Sequence, residues 1–100
     1  METREVLIED VHAYQSKRDH GNIRFEVWGR PRDDGQPNYI VASTWDPFTA
    51  DLLGTAKDLT EPVFMTLDSG TDGLLDIIRV DAGPRVEDYH LRRGEVLPPV

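Results

Sequence analysis

Apolar and polar positions alternate along most of the chain with a period of two, the spacing of residues that share one face of a β-strand. In Glu5 to Tyr14, EVLIEDVHAY, the alternation slips phase at Glu9-Asp10: Val6 and Ile8 share one parity, Val11 and Ala13 the other. One extra residue restores a single buried face, so the segment predicts one long strand with a β-bulge, which also bends the strand. NIRFEVWGR alternates cleanly, with Ile23, Phe25 and Val27 on one face and Arg24, Glu26, Trp28 and Arg30 on the other. Tyr39 to Trp45 resumes β character, but apolar residues occupy both parities (Ile40 and Ala42, or Tyr39, Val41 and Trp45), as in a strand buried on both faces. Two further strands follow: PVFMTLD, with Val63, Met65 and Leu67 on one face, and Leu74 to Val80, LLDIIRV. Turn formers separate the strands at Gln15 to Asn22, at Pro31 to Asn38 with its Asp34-Gly35 hairpin signal, and at Ser69 to Gly73.

One segment breaks this period. Ser43 to Leu53, STWDPFTADLL, announces a helix start, and two caps fit it. Thr49 serves as N-cap with Phe48 and Leu53 as a hydrophobic staple, or Asp46 caps and Pro47 takes the first helical position, where its missing N–H costs nothing. Leu52, Ala56 and Leu59 fall at i, i+4 and i+7 with Leu53 beside them, forming a narrow apolar stripe. Gly54 weakens the interior by about 1 kcal/mol and Pro62 pushes Glu61 out of helical geometry, so the helix is short and depends on packing. Gly83-Pro84 closes the compact pattern, giving one domain over 1–83. Residues 84–100 form a charged, proline-ended tail, in which a short element around Tyr89 to Leu91 competes with a loosely held chain.

The order strand, strand, strand, helix, strand, strand, with a bulged first strand, resembles the OB-fold, a five-stranded barrel whose open end such a helix covers. YIVASTWDPFTADLLGTAKDLTEPVFMTL in particular is similar to the third strand, helix and fourth strand of nucleic-acid-binding OB domains. The resemblance spans about Glu5 to Val80 and rests on pattern, without an invariant motif. A glycine often found beside the fourth strand is replaced by Thr60-Glu61 and Asp68. An SH3-like barrel is the rival fold, and it normally lacks a full helix at this point. The expectation is a mainly β chain: a five-stranded OB-like barrel with one helix between strands three and four, plus a C-terminal tail.

Composition sharpens this picture. One hundred residues fit a single domain burying about 60 to 65 % of its unfolded surface, too small for a large enclosed active site. The absence of cysteine removes disulfides and thiolate metal sites, and the start METRE lacks the basic and apolar run of a signal peptide. No apolar stretch approaches the roughly 20 residues that span a bilayer, so the reading is a soluble, cytoplasmic chain without a membrane partner. The formal charge of −8 opposes a polyanionic partner in general, yet from Lys17 to Arg32 the balance reverses: Lys17, Arg18, Arg24, Arg30 and Arg32 face only Asp19 and Glu26.

The resemblance implies a ligand laid across strands two and three, between the first-to-second and fourth-to-fifth strand loops. Candidate phosphate contacts are Lys17, Arg18, Arg24, Arg30 and Arg32, and candidate stacking platforms are Trp28, Tyr39 and Trp45. Each has a plainer reading. Trp28 packs beneath the tail or against a partner subunit, Tyr39 and Trp45 pack in the core, and the basic cluster is a solvated hairpin. Asp68, Asp72 and Asp76 place acid at the far rim, where a polyanion is repelled. DSGTDGLLDIIR matches positions 1, 5 and 6 of an EF-hand loop but has Arg79 where the bidentate glutamate belongs, so a hairpin turn explains it better. His12, His20 and His90 lack zinc-pair spacing, and no nucleophile elbow, phosphate loop or cysteine nucleophile is present. GEVLPPV reads as a frayed terminus or as a polyproline-type peptide for a partner's groove.

These features predict a non-enzymatic module with no cofactor and no metal. Its expected ligand is single-stranded DNA or RNA. The alternative is an OB-fold protein-interaction module, a subunit or adaptor of a larger assembly or a homo-oligomer, which the overall charge and acidic second loop favour.

Overall fold

A computed structural model of the protein describes residues 1–15, 22–32, 39–70 and 74–96, without the side chains of residue 14 and residues 92–96. Strand β1 (Glu2–Gln15) is long enough to serve two neighbours. Its first half pairs antiparallel with β4 (Pro62–Ser69), from Glu2 opposite Leu67 to Leu7 opposite Pro62. Its second half pairs antiparallel with β2 (Ile23–Pro31). The register shifts between Ile8 and Asp10, so Glu9 is the extra residue that the phase slip predicts.

β3 (Ile40–Thr44) pairs antiparallel with β2 and parallel with β5 (Leu75–Ala82), which returns antiparallel to β4. The circuit β1-β2-β3-β5-β4 closes into a barrel, with helix α1 (Pro47–Leu59) between β3 and β4. This architecture is compatible with an OB-like fold. Closure leaves no free sheet edge in the ring, which removes a route to edge-to-edge association.

Inward residues follow the predicted parities at Val6, Ile8, Val27, Val63, Met65 and Leu67, all buried. In β3, Ala42, Ser43 and Thr44 are buried in succession, the two-sided burial that its mixed alternation suggests. The start of β2 departs from the pattern. Ile23, expected inside with Val27, is 55 % exposed, because it pairs only with Gln15 at the far end of β1 while β3 reaches no further than Phe25. The β1–β2 hairpin overhangs the barrel there, and a residue with the core parity has no core beneath it.

Asp46 is the cap of α1, not Thr49. Its Oδ1 accepts from the Phe48 N–H at 3.1 Å, its Oδ2 accepts from the Thr49 hydroxyl at 2.8 Å, and Pro47 takes the first turn. Phe48 is 79 % exposed, so no staple forms. Leu53 and Ala56 are fully buried, and burial of the Leu53 side chain contributes about 1.5–3 kcal/mol. The helix ends where Thr60 adopts a left-handed backbone (φ 55°, ψ 41°), with its N–H bonded to the Lys57 carbonyl and the Glu61 N–H to the Ala56 carbonyl.

The segment after Gly83 is an ordered helix, α2 (Pro84–Val96), longer than the short element around Tyr89 to Leu91. Pro84 opens it, Arg85 pairs with Glu61, and Val86 is fully buried in the core cluster. His90, one turn beyond Val86 on the same side, brings Nδ1 within 3.3 Å of the Thr55 hydroxyl of α1. No helix among the described residues is long and apolar enough to cross a membrane.

Candidate ligand-binding face

On β2 the buried residues Val27 and Gly29 alternate with exposed Trp28 and Arg30, and the β2–β3 register sets Trp28 opposite Val41 and Glu26 opposite Ser43. One outer face therefore carries Arg24, Glu26, Trp28 and Arg30 from β2, with Tyr39, Val41, Ser43 and Trp45 from β3 and its flanks. Trp28, Tyr39 and Trp45 are 38 %, 46 % and 44 % exposed, so all three aromatics offer surface to solvent. Trp28 and Tyr39 meet edge to face, centroids 6.0 Å apart and planes at 62°. Trp45 lies toward the other end of the face; Trp28 and Arg24, which reaches it, are four residues apart, about 13 Å along the strand.

Arginines accompany the aromatics at both ends. The Arg30 guanidinium sits 5.3 Å from the Tyr39 centroid and donates to its hydroxyl at 3.0 Å, while Arg24 sits 5.1 Å from the Trp45 centroid. Every one of these contacts restricts rotamers, so the platforms are held in place before a ligand arrives.

Carboxylates balance the arginines. Glu9, re-aimed by the bulge, lies 3.2 Å from Arg30 Nε, and with the Tyr39 hydrogen bond as the larger cause it raises the Arg30 pKa above its ordinary value. Arg24 Nη2 donates to Ser43 Oγ at 2.6 Å and approaches Asp76 Oδ1 at 3.7 Å. Trp28 Nε1 donates to Glu26 Oε1 at 2.6 Å, and His12 links Glu26 (3.5 Å) to Asp10 (2.9 Å). Two guanidiniums thus stand among Glu9, Glu26 and Asp76, which makes the face aromatic and electrically mixed rather than basic.

The residues proposed from sequence fall into three groups. Trp28, Arg30, Tyr39 and Trp45 share the outer face. Arg24 lies there too but is only 5 % exposed, covered by Trp45 and held by Ser43, so its guanidinium supports a platform rather than projecting as a phosphate contact. Arg32 is exposed just beyond β2, and its backbone N–H bonds to the Glu5 carbonyl. Lys17 and Arg18 lie outside the described residues, as do Asp34, Gly35, Asp72 and Gly73.

Glu9, His12, Ser43 and Asp76 join the face without having been singled out as ligand contacts. The bulge phase signals Glu9, but the parallel β3–β5 pairing that brings Asp76 beside Ser43 has no local sequence mark. Among the described residues no group of three or more His, Cys, Asp or Glu is placed to hold a metal ion. Comparison with protein-family models, curated proteins and solved structures gave no match to this chain.

Proposed function

We propose that this protein is a non-catalytic binding module of the OB-fold kind that takes single-stranded nucleic acid across β2 and β3. The observation that carries this reading is the row of outward aromatics, Tyr39, Trp28 and Trp45, with a guanidinium stacked on the ring at each end. The fold reading is supported by the closed order β1-β2-β3-β5-β4, the parallel β3–β5 pair and the helix between β3 and β4. Stacking contributes about 1–3 kcal/mol per base, so two or three platforms supply most of a micromolar or weaker affinity. The arginines already face carboxylates, so few counterions are released. With two or three phosphates neutralised, log K against log salt falls with a slope of about −1.4 to −2.1.

Titration of an oligothymidylate into the protein at two salt concentrations, followed by tryptophan fluorescence, tests this. The expected result is saturable quenching with that shallow slope and at least about tenfold weaker binding for Trp28→Ala. Unchanged fluorescence at high micromolar strand, or full affinity in Trp28→Ala, contradicts it.

A second reading is favoured by the carboxylates themselves. A face carrying Trp, Tyr and Arg amid Glu9, Glu26 and Asp76, on a chain of charge −8, also suits a basic segment of a protein partner, with this chain as subunit or adaptor. An arginine- and lysine-rich peptide that quenches the tryptophans where the oligonucleotide does not selects that reading.

A further inference from the structure

We propose that Leu97 to Val100, the segment that follows α2, folds back into an apolar groove between the overhanging β1–β2 hairpin and the start of α1, and completes the core there. The groove holds about 390 Å³, with Val11, Ala13 and Phe25 from the hairpin on one side and Pro47 and Ala50 from α1 on the other. The register sets Val11 opposite Val27 and Ala13 opposite Phe25, so the hairpin wall carries the parity of the buried Val27. It continues the core face to the point where β3 ends its pairing, at Phe25 opposite Thr44. Ile23 extends the same face and is exposed. Apolar surface of core parity with no described element over it favours burial. The two polar residues of the groove are already engaged, His12 with Asp10 and Asp51 with His90, so an apolar, uncharged occupant fits it.

The course of α2 brings such an occupant to the groove. Arg85 in its first turn pairs with Glu61, just beyond the end of α1, Val86 enters the core, and His90 lies 3.7 Å from Asp51 near the start of α1. α2 therefore runs back along α1 toward its N-terminus. From His90 to Val96 it advances about 9 Å, and α1 spans only about 6 Å from Asp51 back to Pro47, so α2 delivers the chain at the groove's end of α1. Pro98 disfavours helical backbone at Leu97, in keeping with a helix that stops at Val96. Four residues in polyproline geometry then reach about 12 Å further, across hairpin strands about 5 Å apart. None of the four is charged, Leu97 and Val100 supply apolar side chains, and the two prolines fix their φ angles, so little freedom is lost on docking. Docking of this kind does not depend on the ligand of the β2–β3 face.

The test is a nuclear Overhauser spectrum of the full chain, labelled at its leucine and valine methyls and kept dilute. Methyl protons of Leu97 and Val100 are expected to give cross-peaks to the Phe25 ring. In Leu97→Asp those cross-peaks should vanish and the amide signals of Val11, Ala13 and Ala50 should shift, while the Val86 signals stay in place because α2 remains docked. Tm should fall by about 4 °C or more, the loss of one partly buried leucine in a domain of this size. A chain ending at Val96 should show the same groove shifts. No cross-peak to Phe25 in the wild type, or groove amides unmoved in both variants, overturns the inference. Cross-peaks that arise only between differently labelled chains in a mixed sample put a second copy's segment in the groove and overturn it as well.

Discussion

Gly29 sets how closely β1 and β2 approach. A Cβ placed on it would lie 2.2 Å from Val6 Cγ1 and 3.3 Å from the Leu7 carbonyl, so the fully buried Val6 occupies the volume that any larger residue needs. Gly29→Ala is expected to destabilise the barrel by about 1–3 kcal/mol, measured by chemical denaturation; stability equal to wild type would show that Val6 can move aside. Arg24 teaches a related lesson. Alternation correctly assigns it to the outer face, but alternation reports only which side a side chain leaves the strand. That Trp45 covers it, and that Ser43 and Asp76 approach it, follows from strands distant in sequence. Ile23 fails in the opposite sense, carrying the core parity at a point where the hairpin has outrun the barrel.

At the scale of elements, the helix start was legible because its signals are local: Asp46, Pro47 and the leucine stripe act within a few residues of one another. The choice between caps was not, since Thr49 and Asp46 both fit, and the structure uses the Thr49 hydroxyl as a donor to Asp46. The helix end stores a cost. Thr60 is the one described non-glycine residue with positive φ, and a β-branched side chain is strained there. Thr60→Gly should raise stability by about 1 kcal/mol, or about 4–8 °C in Tm for a domain of this size. A lower Tm would mean that the threonine side chain makes a compensating contact. Helix α2 was hard to read because its buried side is sparse: Val86 and His90 face α1, while Tyr89 and Leu91 are exposed among charges, so no apolar stripe marks it. Pro84 reads equally well as the end of a compact region and as a first helical residue.

For the whole molecule, the strand faces and the bulge came from periodicity, whereas closure came from pairings that no local pattern encodes. The parallel β3–β5 contact involves only Ala42 with Leu75 and Ser43 with Asp76, yet it completes the ring and brings an acid to the aromatic face. Within the aromatic row only the outward parity of Trp28 is legible in the alternation; β3 carries apolar residues at both parities, which leaves core packing open for Tyr39 and Trp45, and their exposure follows from where the strand meets its neighbours. Of the carboxylates beside it, Glu26 has its outward parity and Asp76 its place at the rim in the sequence, whereas the pairing of Glu9 with Arg30 and of Asp76 with Arg24 comes from neighbouring strands; under the proposed function these pairings make binding draw on stacking more than on charge.

The two tryptophans both lie on that face, so their two indole N–H signals in a nitrogen–proton correlation spectrum report on it directly. With an oligonucleotide added stepwise, both indole signals are expected to shift to saturation together with the backbone signals of β2 and β3. Exposed Phe64 and Ile78, on β4 and β5, should stay in place. Stationary indole signals, or shifts centred on β4 and β5 or on α2, would contradict the account.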